Sequence, residues 1–193
     1  MTIELVKELR ARTHISLGEC KSALEEANND LDKAMVVLQK RGTIRAGAVA
    51  SRPTGEGKIF TYVHGPGKMA VIVEVNCETD FAAKAPLLLE FGEHLAMHIA
   101  AFNPVYTKST DIPDDVKLAQ TEIFYEQCSD KPEAARPKIA EGKMAKWFTE
   151  VCLMDQAWIN NNKKSVEQAR SELVAALGEN ITIRRYSKWQ VGE

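Results

Sequence analysis

Apolar residues recur at helical spacing through the first segment of the chain. Ile3, Val6 and Leu9 open a helix whose pattern stops at Thr13-His-Ile-Ser16, where Ser16 and Glu19 match a capping box that starts a second helix. That helix carries Leu17, Cys20, Leu24 and Ala27 on one face and ends at Asn28-Asn29. Asp30 caps a third, with Leu31, Ala34, Met35 and Leu38 inward, and Gly42 stands where a terminating glycine belongs. Residues 43–57 are rich in small residues, Gly and Pro, show no period, and read as a linker. The period then becomes two. Lys58–His64 and Lys68–Cys77 are β-branched and aromatic runs around Gly65-Pro-Gly67, a hairpin signal.

Two strands cannot stand alone. Cover is predicted from one helix over Phe81–Phe102, with Leu88, Phe91, Leu95 and Ile99 on one face, ending at Asn103-Pro104. Val105–Thr107 is an extended piece expected to join the sheet. Helices follow from Pro113 towards Cys128, from Lys131-Pro132 towards Val151 with Pro137 in the first two turns, and from the Ser165 cap towards Leu177. Asn160–Lys164 reads as a polar loop, and the alternation over Gly178–Val191 as a closing strand that returns to the hairpin. The predicted fold is α+β: a three-helix head over 1–42, a linker over 43–57, and a core over 58–193 in which helices cover an antiparallel sheet.

The length of 193 residues allows one ordinary domain or two small ones, and a three-helix head buries so little that it must lean on something larger. Lys plus Arg number 25 against 27 Asp plus Glu, a net charge of -2, so there is no overall basic field for a nucleic acid or an anionic membrane. No run approaches a membrane span, the first ten residues alternate charge with hydrophobe, and a cytoplasmic protein is expected. Cys20, Cys77, Cys128 and Cys152 are far apart with no Cys-x-x-Cys pair, which points to buried free thiols.

Phosphate-loop, dinucleotide, zinc-protease and serine-nucleophile motifs are absent. His94 and His98, four apart on a helix with Glu90 and Glu93 nearby, could share a metal but lack a third ligand of defined spacing; a structural role at a helix–sheet interface is the alternative. No cofactor or metal is expected. The end of the second strand, Glu74-Val-Asn-Cys-Glu-Thr-Asp-Phe81, crowds polar groups where a buried strand finishes. In one reading Thr79 or Asp80 caps the next helix and Phe81 begins its buried face. In the other, Asp80 and Phe81 project together as an acid and an aromatic wedge for a partner.

Three segments, Leu5–Thr13 with Cys20–Leu24, Glu74–Phe81, and Gly178–Arg185, together with His94–Ala101, Asn103-Pro104 and Lys138–Met144, are similar in order to the elongation factor Ts family. The resemblance implies a head like ubiquitin-associated domains, a linker, and helices on an antiparallel sheet. Long members duplicate the core and add a coiled-coil insertion and a C-terminal module. A single core without either piece resembles the short type, in which two chains pair as a homodimer. The implied activity is release of GDP from elongation factor Tu, by a protein that is not an enzyme and touches neither nucleic acid nor membrane. By the same resemblance Phe81 is the wedge, inserted between helices of the partner's GTPase domain near its Mg²⁺, with Asp80 beside it. Leu177 and Gly178 pack next to the wedge, His64 reaches the partner from the other face of the nucleotide site, and the head leans on the partner through Arg10 to Gly18. Leu17 and Gly18 occupy positions where the family often has two bulky apolar residues, so Gly18 removes one. The alternative is a binding module without exchange activity that uses its head alone.

Overall fold

The computed structural model describes residues 3–193; the first two positions of the expected head lie outside it. The head is three helices, α1 (Ile3–Thr13), α2 (Leu17–Glu26) and α3 (Leu31–Val49), closed over Val6, Leu9, Ile15, Cys20, Leu24 and Leu38. The expected caps form. Ser16 Oγ accepts from Glu19 N at 3.3 Å and donates to its carboxylate, and Asp30 accepts from Lys33 N at 3.0 Å.

Gly42 does not end the third helix, which runs on to Val49 through residues expected to be linker. The turn that carries Gly42 packs instead on α8 (Val166–Leu177): a Cβ there would sit 3.4 Å from the Ser171 carbonyl oxygen and 3.5 Å from the Ala175 methyl, ordinary van der Waals contact. Small residues at that crossing let α3 lie against α8 with Ala46 and Val49 buried. Arg45 donates to Ala175 O at 3.1 Å across the same contact, so the head joins the core through a continuous helix.

Strands β1 (Glu56–His64), β2 (Met69–Cys77) and β5 (Thr182–Gln190) form an antiparallel sheet in the order β1-β2-β5, so the closing strand does return to the hairpin. One face carries Phe60, Val71, Val73, Val75 and Ile183 into the core. The single helix expected over 81–102 is two: α4 (Asp80–Ala83) and α5 (Pro86–Phe102). Pro86 cannot continue the first and is accommodated in the opening turn of the second. Helix α5 lies across β1 and β2, where Gly92 meets the Phe60 ring.

Beyond α5, the piece expected to join the sheet lies outside it, bridged in parallel from Tyr106 to Cys152, with Leu153 N donating to Tyr106 O at 2.8 Å and Met154 N to Thr107 O at 3.0 Å. Helices α6 (Asp114–Glu126) and α7 (Arg136–Val151) pair with each other, and α6 buries no residue completely. They are the two helices expected between Pro113 and Val151, with Pro137 in the first turn of α7 as foreseen. The expected loop at Asn160–Lys164 instead contains β4 (Asn161–Ser165), paired with the short β3 (Ala157–Trp158). Ser165 and Gln168 cap α8 reciprocally. No helix among the described residues is long and apolar enough to cross a membrane, and all four cysteines are buried free thiols.

His98 is fully buried, stacked on Phe102 at 4.6 Å and Trp158 at 5.6 Å between ring centroids. Its Nε2 lies 3.0 Å from Gln156 Oε1, and Gln156 Nε2 donates to Glu150 O at 2.8 Å, which assigns the proton to Nε2. Burial holds its pKa below the ordinary 6.5. The unfolded chain therefore binds more protons than the folded one as pH falls through 6.5, so this residue's contribution to stability is complete above that value and declines below it. In thermal melts between pH 7 and 5 the native chain should lose stability by up to about 1.4 kcal/mol per pH unit from this group. His98→Gln, which keeps a donor but cannot titrate, should lack that component; parallel pH curves for the two would refute it.

Candidate functional site

The strand-to-helix corner follows from residues that stop being able to stay buried. Cys77 closes the inner face of β2, and Glu78, Thr79 and Asp80 then bring three polar side chains to the surface. Thr79, not Asp80, is the cap: its Oγ1 accepts from Ala82 N at 3.2 Å. Asp80 instead accepts from Lys84 Nζ at 2.7 Å, and this bond holds its carboxyl below the usual carboxylate range. Phe81 is 81% exposed while its neighbours Ala82 and Ala83 are buried. The reading in which Phe81 begins a buried helical face is therefore overturned. The one-turn helix puts its two alanines on the sheet and its aromatic ring into solvent.

The tail comes to the same place. Helix α8 ends at Gly178, whose φ of 77° is left-handed backbone that suits glycine, and the chain turns back beside the corner. Leu177 is half-buried against the core and Gly178 is exposed. Glu179 Oε2 then accepts from the backbone N–H groups of both Glu78 and Thr79 at 3.1 Å, and its Oε1 accepts from the Thr79 hydroxyl at 2.6 Å. The exchange is reciprocal, since Glu78 Oε1 accepts from Asn180 N at 2.7 Å. Asn180 Nδ2 donates to the carbonyls of Ala50 and Arg52, just past α3. Asp80, Phe81, Leu177 and Gly178 thus form one cluster, with the end of the head helix tied into it.

His64 is not part of that cluster. It pairs with Met69 at the far end of the hairpin while Cys77 adjoins the corner. At about 3.3 Å per residue the length of β2 separates them by roughly 26 Å. His64 is exposed, and Tyr62 Oη lies 2.9 Å from its Nδ1. On the head, Arg10 and Leu17 line a shallow concavity with Ile3, Lys7, Ala11 and His14, and Leu17 is 46% exposed. Gly18 beside it is open: a methyl group added there would meet nothing within 4 Å, so no packing demand explains the missing side chain.

His94 and His98 do not converge. The first is partly exposed beside Asn160, with 2.6 Å between Nδ1 and Nδ2, and the second is buried against Gln156. Among the described residues no three His, Cys, Asp or Glu side chains gather as a metal site would require. The polar knot of Glu78, Glu179 and Asn180 escaped sequence reasoning. Its signal was present as acids and an amide at the ends of two apolar segments, but their pairing spans about a hundred residues.

Residues 6–193 match the family described as Elongation factor TS. A curated relative from Thermosipho melanesiensis named Elongation factor Ts is 48% identical over 195 aligned positions, covering all of both chains. Proteins of the same name from Syntrophomonas wolfei and Thermotoga maritima are 43% and 41% identical, covering all of this chain and 91% and 97% of theirs.

Proposed function

The chain belongs to the elongation factor Ts family and is a translation elongation factor, and from that premise we propose that it promotes release of GDP from elongation factor Tu by inserting Phe81. The observation that carries this reading is the exposed Phe81 ring on a corner whose backbone is pinned on both sides. A phenylalanine left 81% in water has no role in this chain's own core, and burying it elsewhere is favourable by about 1.5 to 3 kcal/mol.

A GTPase holds GDP through a phosphate-binding loop and a Mg²⁺ that bridges phosphate to protein, so release is slow until that cradle is disturbed. An exchange factor binds the empty state more tightly than the nucleotide-bound one. By linkage, the factor by which it loosens GDP is the factor by which GDP loosens it. No acid, base or nucleophile is needed, and the protein acts by differential binding rather than as an enzyme in the ordinary sense. Phe81 supplies an apolar wedge between helices of the GTPase domain, with Asp80 beside it towards the Mg²⁺ site. Leu177 and Gly178 extend the same contact. Arg10, Leu17 and Gly18 give the head a second contact, and the α3 to α8 crossing supports a fixed spacing between the two.

The test is the release of a fluorescent GDP from elongation factor Tu, which this protein should accelerate strongly. An unchanged release rate would end the exchange reading and favour a binding module that uses its head alone.

The working unit is a homodimer in this reading. Support comes from the outer face of the sheet, where Val63, Ala70 and Trp189 are aligned across three strands and Ile59, Val63 and Trp189 are 59%, 60% and 62% exposed. A second chain laid on that face also offers a route for His64 to reach a partner that Phe81 of the first chain engages. The mass in solution should be about twice 21.5 kDa, and Trp189→Glu should shift it towards a single chain. A native mass of one chain at micromolar concentration would exclude the pair.

A further inference from the structure

Helix α4 spans only four residues, too few to hold its own direction in water, so whatever fixes its first residues also aims Phe81. Thr79 is where that control is exerted. Its N–H and hydroxyl are both held by the Glu179 carboxylate, and its hydroxyl in turn receives the Ala82 N–H. Its carbonyl accepts from the Cys77 thiol at 3.1 Å and from Ala83 N at 3.2 Å. Of these partners only Glu179 comes from outside the corner, about a hundred residues away in sequence, and it contributes three of the bonds, counting the one to Glu78 N. Hydrogen bonds from N–H and O–H groups to a carboxylate are the stronger kind.

We propose that Glu179 is a positioning residue for exchange: its carboxylate clamps the backbone of Glu78 and Thr79 and thereby aims the Phe81 side chain. The functional consequence rests on the exchange reading above; the clamp itself does not. Glu179 touches neither Asp80 nor Phe81 through a hydrogen bond, and it acts only through the residue that precedes them. A glutamine can still serve, with its Oε1 on the two N–H groups and its Nε2 donating to the Thr79 hydroxyl, which then turns its own proton away. Alanine removes all three bonds and leaves the one-turn helix to its own cap.

The experiment compares native protein, Glu179→Ala, Glu179→Gln, Phe81→Ala and the Phe81→Ala/Glu179→Ala double variant for affinity towards nucleotide-free elongation factor Tu. Glu179→Ala should weaken binding about tenfold in the native background but no more than about threefold when Phe81 is already absent, because of the residues the clamp aims only Asp80 then remains. Glu179→Gln should recover to within about threefold of native. Equal losses in both backgrounds, or no loss in the first, would overturn the assignment. Amide hydrogen exchange of the free protein supplies a readout that needs no partner: the Glu78 and Thr79 amides should exchange at least about tenfold faster in Glu179→Ala, with β2 amides unchanged. Unchanged protection at those two amides would refute the clamp even if native protein releases GDP. Altered protection beside a native protein that releases none would leave the clamp standing and remove the exchange reading.

Discussion

Phe81→Ala should cut the acceleration of GDP release from elongation factor Tu by tenfold or more while leaving the melting temperature of the chain unchanged. Both halves follow from one observation, the 81% exposure of the ring. Truncating a side chain that contacts little in its own protein changes stability by no more than about 0.5 kcal/mol. Losing about 1.5 to 3 kcal/mol of burial on the partner corresponds to one or two decades in affinity for the intermediate state. The same substitution in a core phenylalanine would show the reverse, with large destabilisation accompanying the loss of function. Stopped-flow release of a fluorescent GDP, read beside a thermal melt, separates the two. A variant that retains full exchange activity would remove Phe81 from the mechanism. Substituting Asp80 should have a smaller effect, since its carboxylate is already engaged with Lys84.

The largest effect on stability is expected at Gly92. A methyl group there would lie 2.2 to 2.4 Å from three atoms of the Phe60 ring, which is buried where α5 meets the sheet, so the ring or the helix must shift. Helical propensity alone favours alanine over glycine by about 1 kcal/mol. Steric overlap with a packed ring reverses that sign, costing about 1 to 3 kcal/mol or more beyond the propensity gain. Gly92→Ala should therefore lower the melting temperature by roughly 3 to 10 °C for a chain of this size. Gly142 is the control: it lies inside α7, a methyl there meets nothing within 4 Å, and Gly142→Ala should raise the melting temperature slightly. If both substitutions stabilise, propensity rather than the α5 to β1 contact governs position 92.

Most elements were legible in the chain because local physics decides them. The caps at Ser16, Asp30 and Ser165, the hairpin turn at Gly65-Pro-Gly67 and the alternation of the closing strand depend on residues within a few positions of one another. Misreadings arose where a residue answers to a distant neighbour. Gly42 resembles a helix terminator in sequence, yet α3 runs through it because Ala46 and Val49 beyond it are buried against the core. Asn161–Ser165 is polar enough for a loop, yet it pairs with Trp158 and Ala157. In the stretch from Phe81, a run of helical spacing concealed the break imposed by Pro86.

The candidate site divides along the same line. Sequence alone marked Asp80 and Phe81 as unusual and, through an ordered series of motifs, the family to which the chain belongs. It could not decide whether Phe81 faces core or water, because residues at the start of a helix point either way until the helix is docked. The tertiary structure decided this by seating Ala82 and Ala83 on the sheet. It also brought Glu179 and Asn180 to the corner, a placement that depends on β5 pairing with β2 and on α8 ending at Gly178. Periodicity and capping are written in neighbouring residues. The direction of an exposed ring and the partners of a carboxylate a hundred residues away are set by packing, which no local pattern contains.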